Sequence, residues 1–266
     1  MEGEHMTGAD NCPTCSKESY DIVPIMRIMQ KLDELFDKND LKGVGALLEY
    51  WDREARILHD DRGLLEILNE EIGYFRRTGE KERALNAVNE AFSLIDSLEL
   101  GKSETAGTVY VNGATTMKAF GETASAMQYY HKAKEIYDLV LPPDDYKIAA
   151  YYNNVSSAYQ ELGDIENAEC ACFAAIEILE KSDRYSGEIA VTHVNLAHMY
   201  YDADNFDERV YEHMEKAWAL LDSEKNIHDG NFAFLCSKCY PSFGYFGYFE
   251  YEKQLRALVE KIYEGN

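Results

Sequence analysis

Apolar side chains recur at helical spacing along most of this chain. Near the C-terminus, Tyr251, Leu255, Leu258 and Ile262 follow one another at intervals of four, three and four residues. This spacing places all four side chains on one face of an α-helix. Ala, Leu, Glu and Tyr dominate the regular segments, and only 5 prolines occur in 266 residues. Both the spacing and the composition predict an all-α protein.

A second, longer period is superimposed on the helical one. Glycine or asparagine recurs every 42 residues at the end of a helical segment, and small residues recur five and twelve positions later. A residue that tolerates positive φ closes a tight turn, and small side chains let two helices approach closely. Each period is therefore predicted to be a helical hairpin that completes its core by stacking on its neighbours. The three columns are Gly79, Gly121, Gly163, Asn205 and Gly247; Ala84, Ala126, Ala168 and Val210; and Ala91, Ala133, Ala175 and Ala217.

Six such hairpins, or about twelve helices, are expected in a single domain that spans residues 23–266. Residues 1–22 are expected to form a flexible N-terminal tail. The terminal hairpins depart from the columns, because Val44 and Trp51 replace the small residues of the first hairpin and Pro241 lies inside the first helix of the last. Atypical terminal repeats are expected, since each leaves one face in contact with water.

One of the central hairpins, "NNVSSAYQELGDIENAECACFAAIEIL", resembles the tetratricopeptide repeat (TPR). The resemblance covers roughly residues 25–264 and implies a right-handed α-α superhelix with a concave groove. The period of 42 is longer than the usual repeat, and such long repeats resemble those of kinesin light chains and of many bacterial proteins. The consensus positions are filled by Asn154, Val155, Ser156, Tyr159, Gly163, Ala168, Cys172 and Ala175.

The charge of the chain narrows the classes of partner. With 26 basic and 49 acidic residues, its formal net charge is −23. This charge repels nucleic acids and anionic membranes and favours basic or neutral partners. No segment approaches the roughly 18 apolar residues of a membrane span, and the N-terminus lacks the apolar core of a signal peptide. Six cysteines are too few for a disulfide scaffold of this length, so a reducing, cytoplasmic location is expected.

Two CxxC pairs, Cys12 with Cys15 and Cys236 with Cys239, have the spacing of zinc ligands. Helical register places Cys236 and Cys239 on inward positions, where cysteine acts as a small hydrophobe. The two pairs are also expected to lie several tens of ångströms apart, at opposite ends of a solenoid with about 10 Å per helix layer. We therefore expect no metal and no cofactor, with a metal or redox role for the N-terminal pair alone as the alternative.

Motifs of catalysis are missing from the sequence. It contains no nucleophile beside a local base, no glycine-rich phosphate loop and no zinc-binding His-Glu-x-x-His. Asp144 and Asp145, which follow two prolines in "PPDDY", and Asp229, in "HDG", are better explained as helix caps. The chain is therefore predicted not to be an enzyme.

The resemblance assigns peptide binding to the concave groove, which the first helix of each hairpin lines. Asparagines in the position of Asn112, Asn154 and Asn195 commonly hold the main chain of a peptide in TPR domains. An amide carries a donor and an acceptor, so it can pair with an extended backbone of any sequence. The alternative is that each asparagine only stabilises the fold through nearby backbone. Helical spacing adds Thr108, Thr115, Lys118, Tyr151, Asn153, Ser157, Gln160, His198, Tyr201 and Lys238 to the same face.

The leading functional hypothesis is a non-enzymatic scaffold that binds a protein or peptide segment in this groove. A structural or self-assembly role is the first alternative, using the ends of the solenoid or its convex face. The aromatic stretch "FGYFGYFEYE" at residues 243–252 would form an apolar patch if it were exposed. An accessory subunit of an enzyme is the second alternative.

Overall fold

Twelve α-helices and no strand make up the part of the chain that the computed structural model describes, residues 22–204 and 207–265. Consecutive helices pair as antiparallel hairpins, and the hairpins stack in chain order into an α-α superhelix. The helices are α1 (Ile25–Asp37), α2 (Leu41–Leu58), α3 (Asp61–Thr78), α4 (Lys81–Ser97), α5 (Glu104–Ala119), α6 (Thr123–Val140), α7 (Tyr146–Glu161), α8 (Ile165–Leu179), α9 (Ser186–Ala203), α10 (Arg209–Leu221), α11 (Gly230–Tyr245) and α12 (Phe249–Gly265).

The predicted turns lie where the 42-residue period placed them. Every glycine of the turn column has a positive φ, between 78° and 88°. A left-handed residue at this position ends one helix and directs the chain back along it, at little cost for glycine. Asn205, the remaining member of the column, lies outside the described residues. The four glycines are Gly79, Gly121, Gly163 and Gly247.

The small-residue columns form the close contacts inside the hairpins. All eight positions are buried, with side chains at most 2% exposed. In the first hairpin the larger Val44 and Trp51 are equally buried. Because an alanine side chain is small, the backbone of the paired helix can come close to it. The two helices of a hairpin therefore pack tightly at these points.

Aspartate side chains fix where several helices begin. Asp145 accepts a hydrogen bond from the Lys147 amide at 2.8 Å, and Asp229 accepts one from the Phe232 amide at 2.8 Å. These bonds satisfy amides in the first turn that have no partner within the helix. The interpretation as caps is confirmed for Asp145 and Asp229, whereas Asp144 accepts no such bond among the described residues.

The odd-numbered helices lie on the inside of the curve. Neighbouring odd-numbered helices from α3 to α11 pack against one another, whereas neighbouring even-numbered helices are farther apart. We call the surface lined by α1, α3, α5, α7, α9 and α11 the inner face. Beside it, the two ends of the superhelix meet, because α1 contacts α11.

The contact between α1 and α11 depends on a close approach of two backbones. A Cβ atom on Gly230 would lie 2.4 Å from the Cα of Asp37, so only glycine fits without movement. Arg77 of α3 stands at the same junction, where it donates to Asn39 Oδ1 at 3.0 Å and lies 4.8 Å from the ring centroid of Phe234. The first and last hairpins therefore lie side by side rather than at opposite ends, since the superhelix curves back on itself. The separation expected for the two cysteine pairs stays a prediction, because Cys12 and Cys15 lie outside the described residues.

Cys236 and Cys239 of α11 are buried in the core, at 0% and 1% exposure. Burial raises the pKa of the Cys236 thiol to about 12, which disfavours the thiolate that a metal needs. Cys12 and Cys15 lie outside the described residues, as does the predicted tail up to residue 21. Within the described part of the chain, no group of three or more metal-ligating side chains could hold a metal ion. No described helix is long and apolar enough to cross a membrane.

Candidate functional site

An amide pair links α3 to α5 on the inner face. The Asn112 side chain donates from Nδ2 to Asn69 Oδ1 at 2.8 Å. Beside it, Arg76 donates to the Asn112 carbonyl at 3.3 Å and to the hydroxyl of the buried Thr116 at 3.0 Å. Asn112 therefore joins two repeats through its side chain and its main chain.

A second polar link joins α5 to α7. Lys118 Nζ donates to Ser157 Oγ at 2.9 Å, and this hydroxyl donates to the Asn154 carbonyl at 2.9 Å. The Asn154 amide nitrogen donates to the carbonyl of Ala150, one turn earlier in its own helix, at 2.8 Å. For Asn154, the backbone bond expected under the structural alternative is thus present.

A third set of bonds joins α7 to α9. Asn153 Oδ1 accepts from the Thr192 hydroxyl at 2.8 Å, and Gln160 Nε2 donates to Asp202 Oδ2 at 2.9 Å. Asn195 is half-buried on α9, and its side chain has no hydrogen-bond partner among the described residues. The polar links between inner helices thus continue from α3 to α9.

These amides retain unused hydrogen-bonding capacity. Within the described part of the chain, Asn112 and Asn154 use Nδ2 and leave Oδ1 without a partner, whereas Asn153 uses Oδ1 and leaves Nδ2. Each side chain is therefore held in place by the fold and still offers a polar atom. A pre-positioned donor or acceptor of this kind can pair with a ligand at a low cost in conformational entropy.

Three of the residues expected on the inner face turn away from it, two toward the seam inside their hairpin and one toward the preceding hairpin. The Thr108 hydroxyl lies 3.1 Å from the Tyr137 hydroxyl, and the Thr115 hydroxyl lies 3.0 Å from the Tyr130 hydroxyl. Tyr151 is only 4% exposed, and its ring centroid lies 6.2 Å from that of Tyr130. Tyr151 is therefore a core residue and not a groove residue, because its position on α7 directs the ring against α6.

Two further residues of the predicted set face the C-terminal half of α11. His198 Nε2 lies 2.8 Å from the Ser242 hydroxyl. The ring centroid of Tyr201 lies 5.6 Å from that of Tyr245 and 5.4 Å from that of Phe246. These side chains connect α9 to the last hairpin, at one edge of the inner face.

The inner face is confined and carries both signs of charge. Burial raises the pKa of Glu70, and it lowers the pKa values of Lys118 and Lys238, which the nearby Arg76 charge lowers further. Lys238 keeps contact with solvent while the walls of the superhelix surround it, with its ammonium 4.4 Å from the ring centroid of Phe234. Burial is the first cause of each shift, so these charged groups lie within the walls of the superhelix.

Arg76 and Asn69 are inner-face residues that the sequence analysis missed. Asn69 precedes Gly79 by ten residues, as Asn153 precedes Gly163, so the 42-residue register could have identified it. Arg76 has no such signal, because nothing in the sequence distinguishes it from Arg77. No carboxylate in the described ranges lies within ion-pair distance of the Arg76 guanidinium.

The stacked hairpins and their inner face are similar to solved repeat structures. BtubC (BKLC) from P. vanneervenii is 18% identical to this chain, with a TM-score of 0.54, and the match covers 91% of this chain and 92% of that protein. A kinesin light chain-type protein from Podosopora anserina with nearly identical TPR-like repeats is 15% identical, with a TM-score of 0.53 and coverage of 76% and 95%. The fold is that of a TPR-like repeat protein.

At these identities the likeness shows the fold alone. No family model matches the chain, and no curated protein does. The TPR-like fold nevertheless explains the geometry of the site, because stacked hairpins bring equivalent positions of successive first helices side by side. The polar links from α3 to α9 are the result of that repetition.

Proposed function

We propose that this TPR-like protein is a non-enzymatic interaction scaffold that holds an extended protein or peptide segment against its inner face. The observation that carries the proposal is the set of half-used amides, in which Asn112, Asn153 and Asn154 are fixed by the fold while each offers one polar atom. Repeated amides suit a main chain, whose donors and acceptors recur in every residue. Asn195 adds a side-chain amide whose oxygen and nitrogen both lack a hydrogen-bond partner among the described residues.

The charge of the molecule favours a basic or neutral segment. The net charge of −23 attracts positive chains over long distances, and Glu66 and Glu70 add carboxylates on the inner face itself. Arg76 and Lys118 provide donors for main-chain carbonyls rather than an overall positive field. Because α1 meets α11, the enclosed inner face favours an extended segment over a folded domain.

A cytoplasmic location is part of this proposal. The four cysteines of the described residues, Cys170, Cys172, Cys236 and Cys239, are all free thiols. Free thiols fit a reducing compartment.

Selection from a displayed library of random extended peptides tests the groove. We would select on the wild-type protein and then compare the selected peptides on a variant with Asn112, Asn154 and Asn195 changed to Ala. Since Asn112 and Asn154 also make structural bonds, Asn195→Ala alone is the cleaner variant. Asn89→Ala and Asn167→Ala, on the outer helices α4 and α8, are matched controls.

The expected result is a loss of peptide affinity of about tenfold or more in the triple variant, on the order of one or two hydrogen bonds, with unchanged helicity. Asn195→Ala alone should weaken peptide binding with an unchanged melting temperature. The control variants should bind as the wild type does. Equal binding by the wild type and the triple variant would move the interaction site away from the inner face. Failure to select any peptide would refute peptide binding by this surface.

Self-assembly is a second candidate, favoured by exposed aromatic rings. Tyr211, Tyr245 and Phe249 are 58%, 62% and 70% exposed. Tyr211 of α10 and Tyr245 of α11 line one pocket, and Phe249 begins α12 just after the turn that follows α11. Exposed apolar patches of this kind commonly mark contact surfaces. Light scattering should then show a mass that rises with concentration and becomes monomeric in Tyr245→Ser with Phe249→Ser. A monomer at all concentrations would rule the candidate out.

A further inference from the structure

A second candidate site lies away from the inner face, between the hairpins that contain α8 and α10. It is a cavity of about 710 Å³, a size that suits a small organic molecule. Its walls are mainly apolar, formed by Phe173 and Ile176 of α8, Ile189 of α9 and Leu220 of α10. Serine side chains and the loops that follow α8 and α10 form the mouth.

Two histidines from neighbouring helices line this apolar cavity. His193 of α9 and His213 of α10 are 8% and 4% exposed, and their Nδ1 atoms lie 2.9 Å apart. Across this hydrogen bond one Nδ1 must donate and the other must accept. The Nε2 atoms have no hydrogen-bond partner among the described residues, although both rings line the cavity.

The bond between the rings determines what the pair can offer a ligand. In the neutral pair, the ring that accepts at Nδ1 carries its proton on Nε2, and the other ring has a lone pair on Nε2. The pair therefore presents one donor and one acceptor. If one proton is added, the acceptor becomes a second donor, and the Nδ1 bond still holds the imidazolium against its partner.

Without a ligand, the surroundings keep the pair neutral. Burial lowers the pKa of His193 to about 4, and burial together with the Lys216 charge lowers the pKa of His213. An anion in the cavity would supply the counter-charge that an imidazolium lacks there. The charged groups that face the pair from the helices packed against it are Glu169 of α8 and Arg209, Glu212 and Lys216 of α10.

The rim of the cavity carries charges of both signs. Lys216 and Lys225 line the mouth together with Glu180, and Lys216 also pairs with Glu212 at 2.6 Å. The mouth therefore combines both signs of charge on a protein of net charge −23. A carboxyl group, which carries an acceptor and, when protonated, a donor, matches the two Nε2 atoms of the histidine pair, whereas a phosphate dianion would bring more charge into an apolar cavity.

We propose that this cavity binds a small apolar molecule with one carboxyl group, and that binding takes up one proton at the His193–His213 pair. The proton lies either on the ligand carboxyl, which then donates to the free Nε2, or on the ring, which then donates to the carboxylate. The proton count of the complex is the same in both cases. The apolar body of the ligand fills the space between α8, α9 and α10.

Calorimetry with decanoate, and with decanol as its uncharged analogue, tests the proposal on the full chain. Between pH 7.5 and 6.5 the affinity for decanoate should rise about tenfold, since one proton is taken up per ligand, while the affinity for decanol stays constant. Titrations in two buffers of different ionisation enthalpy should give an uptake of about one proton. Absence of decanoate binding, or binding with no proton uptake, would overturn the proposal.

Variants distinguish this pair from a merely structural one. His193→Gln keeps a hydrogen-bonding side chain and should abolish the pH dependence of decanoate binding. Ala219→Trp, at an exposed position on the cavity wall, should obstruct the site while both histidines remain, even if the Gln variant fails to fold. His131→Gln, exposed on α6, is the control and should change nothing. Unaltered decanoate binding by the Trp variant would place the ligand elsewhere and refute the assignment.

Discussion

Glu71 provides a quantitative test of the packing around α3. Its side chain is only 7% exposed, and burial, followed by the nearby Asp52 charge, raises its pKa to about 8. Arg83 and Arg56 oppose this shift, and Glu90 adds to it. At neutral pH the folded protein therefore keeps Glu71 protonated, whereas the unfolded chain ionises it near pH 4.5. The perturbation we propose is Glu71→Gln, which keeps the shape and removes the titration.

The sign and size of the effect follow from linkage. A carboxyl whose pKa is raised on folding contributes full stability below pH 4.5 and loses it as the pH rises to about 8. The shift of 8 − 4.5 = 3.5 pH units corresponds to about 5 kcal/mol over the whole range, at about 1.4 kcal/mol per unit. At pH 7 the loss is about 3 kcal/mol. The glutamine side chain of the variant does not titrate, so the variant should not show this loss.

Chemical denaturation at pH 5, 6 and 7 measures the prediction. The difference in free energy of unfolding between the Gln variant and the wild type should grow in favour of the variant by about 1.4 kcal/mol per pH unit. Glu49→Gln, at an exposed position on α2, is the control for the loss of a carboxylate, and the slope for Glu71→Gln is compared with it. A pH-independent difference for Glu71→Gln would refute the reasoning, because it would mean that Glu71 titrates alike in both states.

Three further predictions test the closure, a helix start and the core. Gly230→Ala would place a methyl group against the Asp37 backbone, so spin labels on α1 and α11 should move apart; an unchanged distance would contradict the contact. The Asp60 carboxylate accepts a hydrogen bond at 2.9 Å from the Gly63 amide in the first turn of α3. Asp60→Ala should therefore lower the free energy of unfolding by about 1–2 kcal/mol in a denaturant titration. An unchanged free energy of unfolding would exclude the cap. Cys170 is exposed and Cys236 is buried. A thiol reagent should therefore label Cys170 in the folded protein and Cys236 only on unfolding, with the labelled sites identified by mass spectrometry. Labelling of Cys236 in the folded protein would place it outside the core.

Features set by short stretches of sequence were predictable. Gly163 and its equivalents mark turns because left-handed φ is a local requirement, and Ala168 and Ala175 mark close helix contacts because size alone decides them. Asp145 and Asp229 were recognisable as caps for the same reason, since a cap needs only the next three residues. Each of these signals acts within one hairpin.

Features that depend on the sum of many hairpins were not predictable. A small rotation at every interface accumulates until α11 reaches α1, and no single residue encodes that total. The contact between Asp37 and Gly230 therefore could not be read from either segment. The prediction that Tyr151 lies on the inner face was wrong for a related reason. One position along α7 turns a side chain from the inner face to the core, and Tyr151 is buried.

The two candidate sites meet on one helix, and this explains why sequence analysis found only one of them. Asn195 and His193 are two residues apart on α9, which separates their directions by about 200° around the helix axis. Asn195 was recognisable because it repeats a position of earlier hairpins, whereas His193 gains its chemistry from His213, twenty residues away on α10. Repetition reveals what every hairpin shares; a site formed by one unrepeated pair becomes visible only when the two helices are placed together. Since Asn195 belongs to the proposed peptide surface and His193 to the cavity, the peptide and decanoate tests use separate residues, and either proposal can fail while the other stands.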